Sequence, residues 1–144
     1  MNSWIRKTER RHIVSNIKPR ILCVDDNKDS REMLKALLTY EDEGYDVTIV
    51  ETGAEALSLI PKNPFDLYIL DLWLPSMDGM TICRRIREMK IKEPIIFFSA
   101  MGRPADMDYV IAAGANAFLT KPNDLNIFAD TVKRLLAESR KVPA

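Results

Sequence analysis

Two adjacent carboxylates, Asp25 and Asp26, directly follow the apolar residues 21–24. Like charges are costly to pack at the end of a buried strand, so the pair indicates either a solvated turn before a helix or a cation site. A third carboxylate, Asp71, follows the largely apolar segment 65–70. Hard oxygen ligands from a few side chains suit Mg²⁺, which keeps several waters and often shares its site with a phosphate. The three aspartates therefore form a candidate magnesium site.

Two further apolar segments end in groups that could act on a phosphate. Ser99 ends residues 94–99, and Thr120 with Lys121 follows residues 116–119. Phosphoryl transfer depends on positioning and charge neutralisation more than on acid–base chemistry. The Lys121 ammonium would supply positive charge, and the Ser99 hydroxyl would donate a hydrogen bond to a phosphoryl oxygen. Each residue alone is more simply a cap or a surface group, so the prediction rests on their common position at strand ends.

A regular alternation of strand and helix patterns positions these residues. Apolar segments predict strands at 20–24, 45–50, 65–70, 94–99 and 116–119. Helical periodicity follows at 28–40, 53–60, 78–90, 104–114 and 123–140, and Thr52 and Glu55 have the spacing of a capping box. Five βα units predict an α/β fold, a doubly wound parallel sheet with helices on both faces. Such sheets bind ligands at the carboxyl ends of their strands, where the polar residues fall.

Length and charge predict one domain with a basic extension. The 144 residues carry 21 basic and 21 acidic side chains, so the whole chain is not a polyelectrolyte made for nucleic acid. The basic residues near the start face one acidic residue, Glu9; they are Arg6, Lys7, Arg10, Arg11, Lys18 and Arg20. We therefore predict a flexible arm at 1–18, a domain at 19–141 and a tail at 142–144.

The apolar pattern predicts a cytoplasmic protein. Cys23 and Cys83 both stand in apolar surroundings, which favours buried, unpaired thiols in a reducing compartment. No apolar stretch approaches the roughly 18 residues of a membrane span. The charged N-terminus has no apolar core of the kind that a secretory signal needs. We therefore expect no membrane insertion.

Four motifs resemble those of the receiver domain of two-component response regulators. They are VDDN near the start, LDLWLPSMDG in the middle, and then FFSA and LTKP. They stand in the order and spacing of that family, and the resemblance covers residues 20 to about 140. It implies a CheY-like, flavodoxin-like fold of five βα units with strand order 2-1-3-4-5.

The resemblance implies specific roles for the aspartates. Asp71 would be the phosphoacceptor and would take its phosphoryl group from a sensor histidine kinase or a histidine phosphotransfer protein. Mg²⁺, for which Mn²⁺ is expected to substitute, would be held by Asp71, by Asp26 directly and by Asp25 largely through water. The backbone carbonyl of Trp73 would add a further ligand.

The resemblance also implies a switch. Ser99 would move to the phosphoryl group, and Phe118 would turn inward with it. The change would reach the face made by the fourth helix, the fifth strand and the last helix, where a downstream protein would bind. Lys121 would pair with the phosphoryl group, and the Lys121–Pro122 bond would be cis. Such a protein catalyses only its own phosphorylation and dephosphorylation, so it is not an enzyme in the usual sense.

Three features depart from the family pattern. The link TYEDEGYD after the first helix is longer than usual. The segment NDLNIF lacks the phenylalanine of DNA-binding members that dimerise through their last helices, so a homodimer is left open without being indicated. The last helix ends close to Ala144. We therefore expect a single-domain regulator without a DNA-binding domain, with a receiver cut from a longer protein as the alternative.

Two large side chains border the site by the same resemblance. Trp73 stands two residues after Asp71, and Met101 stands two residues after Ser99. Neither orients water by strong hydrogen bonds, so we expect them to exclude the hydrolytic water and give a long-lived phosphorylated form. The alternative is that both side chains point outward and serve partner binding.

Other function classes fit the residues less well. A phosphatase resembling haloacid dehalogenases needs a general acid two residues after its nucleophile, where Trp73 stands. A flavodoxin cradles phosphate in its first loop, and Asp25 and Asp26 would repel that phosphate. Nucleic-acid binding by the arm WIRKTERRH would be weak and salt-sensitive. His12 in this arm has no carboxylate partner in the pattern and is not expected to be a phosphorylated histidine.

Overall fold

The computed structural model describes residues 18–39, 44–100 and 104–141. In these residues five strands alternate with five α-helices, and a short 3₁₀ turn (Ile60–Lys62) follows the second helix. In chain order they are β1 (Arg20–Val24), α1 (Lys28–Thr39), β2 (Asp46–Val50), α2 (Gly53–Leu59), β3 (Leu67–Leu70), α3 (Gly79–Glu88), β4 (Ile95–Ser99), α4 (Pro104–Ala112), β5 (Ala117–Thr120) and α5 (Leu125–Lys141). The predicted α/β class is confirmed.

The strands form one parallel sheet in the order β2-β1-β3-β4-β5, which confirms the predicted topology. The four residues of β3 and the five of β4 are all buried. Continuous burial follows because helices cover both faces of a parallel sheet, and it explains why these strands read as unbroken apolar runs. The carboxyl ends of the three central strands therefore meet in the middle of one edge.

Each face of the sheet has its own apolar core. Successive residues of a strand point to opposite faces, so Phe97 packs with the helices α2, α3 and α4, and Phe98 packs with α1 and α5. The helix α5 packs in the second core, where Phe128 and Val132 are fully buried. Two layers of buried apolar side chains thus pack on the sheet, one on each face.

The ends of several elements differ from the sequence prediction by one or two residues. α2 stops at Leu59 because Pro61 cannot continue the helical hydrogen bonds, and Ile60 enters the 3₁₀ turn instead. The last helix begins at Leu125 rather than at 123, because Asp124 accepts hydrogen bonds from the backbone and hydroxyl of Thr120. The predicted cap at Thr52 is confirmed, since its hydroxyl accepts from the backbone N–H of Glu55 at 3.1 Å.

Some predictions concern residues outside the described part of the chain. These are residues 1–17 of the basic arm, residues 40–43 of the long link, Met101 and the tail 142–144. Within the described residues, no helix is long and apolar enough to cross a membrane. Cys23 and Cys83 are buried and unpaired, and burial raises the pKa of each thiol.

Candidate functional site

The loop after β1 turns one aspartate inward and the other outward. The backbone N–H of Asp25 donates to Val50 at 3.0 Å, so the ladder between β1 and β2 continues to this residue. Its Oδ1 accepts from the backbone N–H of Asn27 at 2.9 Å, and the residue is only 1% exposed. Asp26 is exposed. The doublet thus presents one fixed carboxylate and one solvent-facing carboxylate at the sheet edge.

Asp71 is fixed by the ladder of β3 and by donors on its side chain. Its N–H donates to Val24 at 3.0 Å. Its Oδ1 accepts from the backbone N–H of Trp73 and from the hydroxyl of Ser99, each at 3.1 Å. A Cβ at Gly79 would lie 2.3 Å from the Asp71 carbonyl oxygen, so the start of α3 packs against this backbone and only glycine fits there.

Lys121 reaches the site from β5. Its backbone N–H donates to Ser99 at 2.8 Å, and the Lys121–Pro122 bond is cis, as the resemblance implies. The ammonium donates to Asp25 Oδ2 at 2.6 Å and lies 3.5 Å from Asp71 Oδ2. The side chain is 9% exposed, so this lysine is buried in the site and is not a surface residue.

The three aspartates are placed to hold a cation. Among the described residues, Asp25, Asp26 and Asp71 form a group in which one carboxylate oxygen from each lies within 4.8 Å of the others. Three hard oxygen ligands facing a single ammonium leave a net negative cluster, and this donor set fits Mg²⁺. The donor chemistry therefore agrees with the sequence prediction, while the Trp73 carbonyl as a ligand stays a prediction.

The electrostatics of Asp71 reflect this crowding. Burial raises the pKa of Asp71 above its ordinary value, and the nearby Asp25 carboxylate raises it further. The Lys121 ammonium and the hydrogen bonds from Trp73 and Ser99 act in the opposite direction without cancelling the rise. The carboxylate that would receive a phosphoryl group is therefore under-compensated in the metal-free protein.

The two predicted switch residues lie on neighbouring strands, and one of them contacts Asp71. Ser99 is fully buried, and its hydroxyl points at Asp71. Phe118 is buried and stacks against Phe97, with ring centroids 6.5 Å apart and an interplanar angle of 16°. The Ser99 hydroxyl is thus directed at Asp71 and the Phe118 ring is buried, and the switch role of both residues stays a prediction.

Trp73 is exposed to solvent, whereas the shielding interpretation expects its side chain to cover the approach to Asp71. Its residue is 53% exposed, and it lines a pocket of about 260 Å³ with Met80 of α3 and Tyr109 of α4. This placement favours the outward alternative for Trp73. Met101 lies outside the described residues, so its predicted shielding role stays a prediction.

Sequence reasoning missed one contact of the site. Ser30, on the first turn of α1, accepts a hydrogen bond from the Lys121 ammonium at 3.1 Å. Serine is common in first turns of helices, so no local pattern distinguished it from a capping residue. The contact depends on how α1 and β5 approach each other.

Comparison with known proteins assigns the family. Residues 21–133 match the response regulator receiver domain. The chain is similar to the transcriptional regulatory protein TrcR of Mycobacterium tuberculosis, with 34% identity over 83% of this chain and 46% of that protein. It is also similar to a 14.6 kDa protein of Leptolyngbya boryana, with 40% identity over 72% of this chain and 79% of that one. A putative response regulator from Chloroflexus aurantiacus superposes with a TM-score of 0.76 at 36% identity, over 84% of this chain and 99% of that one.

Several of these relatives are longer than the matched region. The chain spans about half the length of regulators such as TrcR and the response regulator MprA, of which 46% and 50% are covered. The part that matches the family contains β2 to β5, all of β1 except Arg20, and the aspartate cluster described above. The chain belongs to the receiver domains of two-component response regulators.

Proposed function

We propose that this receiver is a phosphorylation-activated switch of a two-component or phosphorelay system, with Asp71 as its phosphoacceptor. One observation carries the proposal: Ser99 and Lys121 reach the Asp71 carboxylate from two other strands, at 3.1 Å and 3.5 Å, beside a cluster of aspartates suited to Mg²⁺. A carboxylate, a hydroxyl and an ammonium converge where phosphoryl transfer requires positioning and charge neutralisation.

The transfer would proceed by attack of the Asp71 carboxylate on the phosphorus of a phosphohistidine. An oxygen–phosphorus bond forms, the nitrogen–phosphorus bond breaks, and the imidazole leaves with the bonding electrons and takes up a proton. Bound Mg²⁺ would neutralise charge on the phosphoryl oxygens. The Lys121 ammonium pairs with one phosphoryl oxygen, and the Ser99 hydroxyl donates to another. Hydrolysis of the acyl phosphate returns the protein to its first state, so it acts on itself and not on an external substrate.

The proposed partners correspond to the two ends of this cycle. A sensor histidine kinase or a histidine phosphotransfer protein would supply the phosphoryl group. A downstream protein would bind the face formed by α4, β5 and α5. Exposed apolar side chains on this face support a role in binding a partner. They are Met107 (45% exposed) and Ile111 (50%) of α4 and Ile127 (43%) of α5. The unpaired thiols of Cys23 and Cys83 support a cytoplasmic location.

Intact mass spectrometry tests the phosphoacceptor. The protein is incubated with a small phosphodonor and Mg²⁺, and we expect the mass of one phosphoryl group to be added. Asp71→Asn should show no addition, because an amide does not form the acyl phosphate. Undiminished labelling of Asp71→Asn would contradict the assignment. Asp78→Asn is a matched control, because the Asp78 side chain caps α3 through the Thr81 N–H at 2.9 Å and lies outside the aspartate cluster.

A further inference from the structure

The Lys121 ammonium contacts groups of two kinds. The carboxylates of Asp25 and Asp71 lie 2.6 Å and 3.5 Å from it. Ser30 Oγ accepts from it at 3.1 Å, and the Phe98 ring centroid lies 5.2 Å away. The serine and the ring carry no charge and do not belong to the aspartate cluster. Ser30 is therefore the uncharged hydrogen-bond acceptor of this lysine among the contacts that the structure describes.

Asp25 has two competing partners. It accepts the shortest hydrogen bond of the Lys121 ammonium, and it is also one of the three candidate metal ligands. A divalent cation among the aspartates would draw the Asp25 oxygens toward itself and would repel the ammonium. We therefore expect binding of Mg²⁺ to weaken the pair between Lys121 and Asp25, whether the cation meets Asp25 directly or through a bound water. With its side chain only 9% exposed, the lysine has little access to water in exchange.

We propose that Ser30 is a positioning residue for Lys121. It holds the ammonium at the sheet edge when Mg²⁺ takes Asp25, so that Lys121 stays within reach of a phosphoryl group on Asp71. The inference rests on the proposed function of Asp71. Ser30 is suited to the task because it is fixed itself: its backbone N–H donates to Asn27 Oδ1 at 2.9 Å, on the first turn of α1.

The proposal has a consequence for metal binding. In the metal-free protein Asp25 dominates the contacts of the ammonium, so loss of the Ser30 hydroxyl matters little there. In the metal-bound protein the hydroxyl replaces part of what Asp25 no longer supplies. A hydrogen bond that stabilises the metal-bound state more than the metal-free state shifts the equilibrium toward metal binding. Ser30→Ala should therefore weaken Mg²⁺ binding by roughly three- to fivefold and slow phosphorylation by a small donor by roughly tenfold.

The experiment compares Ser30→Ala with two other variants of the full chain. Calorimetry gives the Mg²⁺ dissociation constant, and intact mass against time gives the phosphorylation rate. Ser30→Thr keeps the hydroxyl and should restore both values to within about twofold of the native chain. Ser58→Ala is the matched control, because this exposed serine of α2 donates to the Glu55 carbonyl of its own helix at 2.8 Å and lies outside the contacts described for Lys121. It should change neither value.

A double-mutant cycle separates a role through Lys121 from a general structural role. In the Lys121→Ala background, Ser30→Ala should leave Mg²⁺ affinity unchanged, because the group that it positions is gone. The proposal is overturned if Ser30→Ala weakens Mg²⁺ binding equally in the native and the Lys121→Ala backgrounds. It is also overturned if the Ser30→Ala single variant binds Mg²⁺ and is phosphorylated like the native chain. If the native chain is not phosphorylated at all, the proposed function of Asp71 fails. The calorimetric cycle still decides whether Ser30 holds Lys121.

Discussion

The charged side chains at the two ends of the sheet differ in how completely their hydrogen-bonding groups are satisfied. At the amino end the Arg87 guanidinium donates five hydrogen bonds, to the carbonyl oxygens of Ile91, Glu93 and Gly114 and to Asn116 Oδ1, over 2.7–3.0 Å. We call this arrangement the Arg87 clamp. At the carboxyl end three carboxylates lie close together, and two of them, Asp25 and Asp71, pair with the single ammonium of Lys121. A charge with every donor satisfied joins loops together, whereas a charge cluster without enough partners is ready for a ligand.

Contacts of Asn116 and Gly114 fix the Arg87 clamp in place. Asn116 Oδ1 also accepts from the backbone N–H of Ile95 at 3.0 Å, so the clamp ties the start of β4 to the start of β5. Gly114 has a φ of 110°, and a Cβ there would lie 2.9 Å from the Arg87 side chain. Neutral carbonyl and amide oxygens accept all of the hydrogen bonds that the guanidinium donates. This end should therefore contribute to stability and be insensitive to metal.

Removing the guanidinium should have the largest effect on stability. Arg87→Met keeps the apolar stem but leaves several carbonyls without a donor, so we expect a loss of about 3 kcal/mol in the free energy of unfolding by urea. Arg87→Lys should recover less than half of this loss, because an ammonium lacks the planar fork that reaches both loops. Exposed Arg85→Met on the same helix is the control, with a change below about 0.5 kcal/mol. A loss for Arg87→Met as small as that of the control would remove the structural half of the comparison.

Mg²⁺ should stabilise the protein through the other end of the sheet. A ligand that binds only the folded state adds about 2.7 kcal/mol at a hundredfold excess over its dissociation constant. We expect this gain in urea unfolding for the native chain and for Arg85→Met. Asp26→Ala should lose it, because too few hard ligands remain. Equal stabilisation of Asp26→Ala by Mg²⁺ would place the metal elsewhere.

Much of this division could be predicted from the sequence. The rule that ligands bind at the carboxyl ends of parallel strands selects Asp25, Asp71, Ser99 and Lys121 from their positions after apolar runs alone. The Ser30–Lys121 contact was not predictable in this way, because it joins residues 91 positions apart and depends on how α1 packs beside β5.

The structural end of the sheet was hidden for the same reason. Arg87 reads as one of three arginines on an amphipathic helix, and its acceptors are backbone carbonyls, which leave no mark in the side-chain pattern. The start of α5 also differed from the prediction, since the turn in which Asp124 accepts from Thr120 depends on local hydrogen bonds that the apolar pattern does not show. Patterns of side chains thus predicted which residues meet at the carboxyl end of the sheet better than those that meet at the amino end.

Neutralising Asp71 should stabilise the metal-free protein, in contrast to the loss at Arg87. Burial and Asp25 raise the pKa of Asp71 in the folded state, so the folded protein binds this proton more tightly than the unfolded chain does. Stability from this group is therefore full below the ordinary aspartate pKa of about 3.9 and is lost as pH rises through the raised folded value. Asp71→Asn should gain roughly 0.5–1 kcal/mol at neutral pH in a chelator and show no gain at low pH. A constant difference across pH would point to a cause other than ionisation.

The smallest predicted effect applies the same change to both ends. Lys90, after α3 at the amino end, and Ser76, in the loop after β3, both have positive φ angles, of 66° and 65°. Glycine adopts this conformation without a Cβ clash, which stabilises the folded state. Two smaller effects oppose this gain: glycine has more conformational entropy in the unfolded chain, and Lys90→Gly also removes a favourable positive charge from a helix C-terminus. We expect each substitution by glycine to raise the free energy of unfolding by about 0.5 kcal/mol.

The two variants should differ in the rate at which a small donor phosphorylates them. Lys90→Gly should accept the phosphoryl group at the native rate. Ser76→Gly should be phosphorylated roughly twofold more slowly, because it loosens the loop whose Trp73 N–H donates to Asp71. Equal rates for the two variants would mean that the loop is held by Gly79 and its contacts alone, and that the functional end is as rigid as the end with the Arg87 clamp.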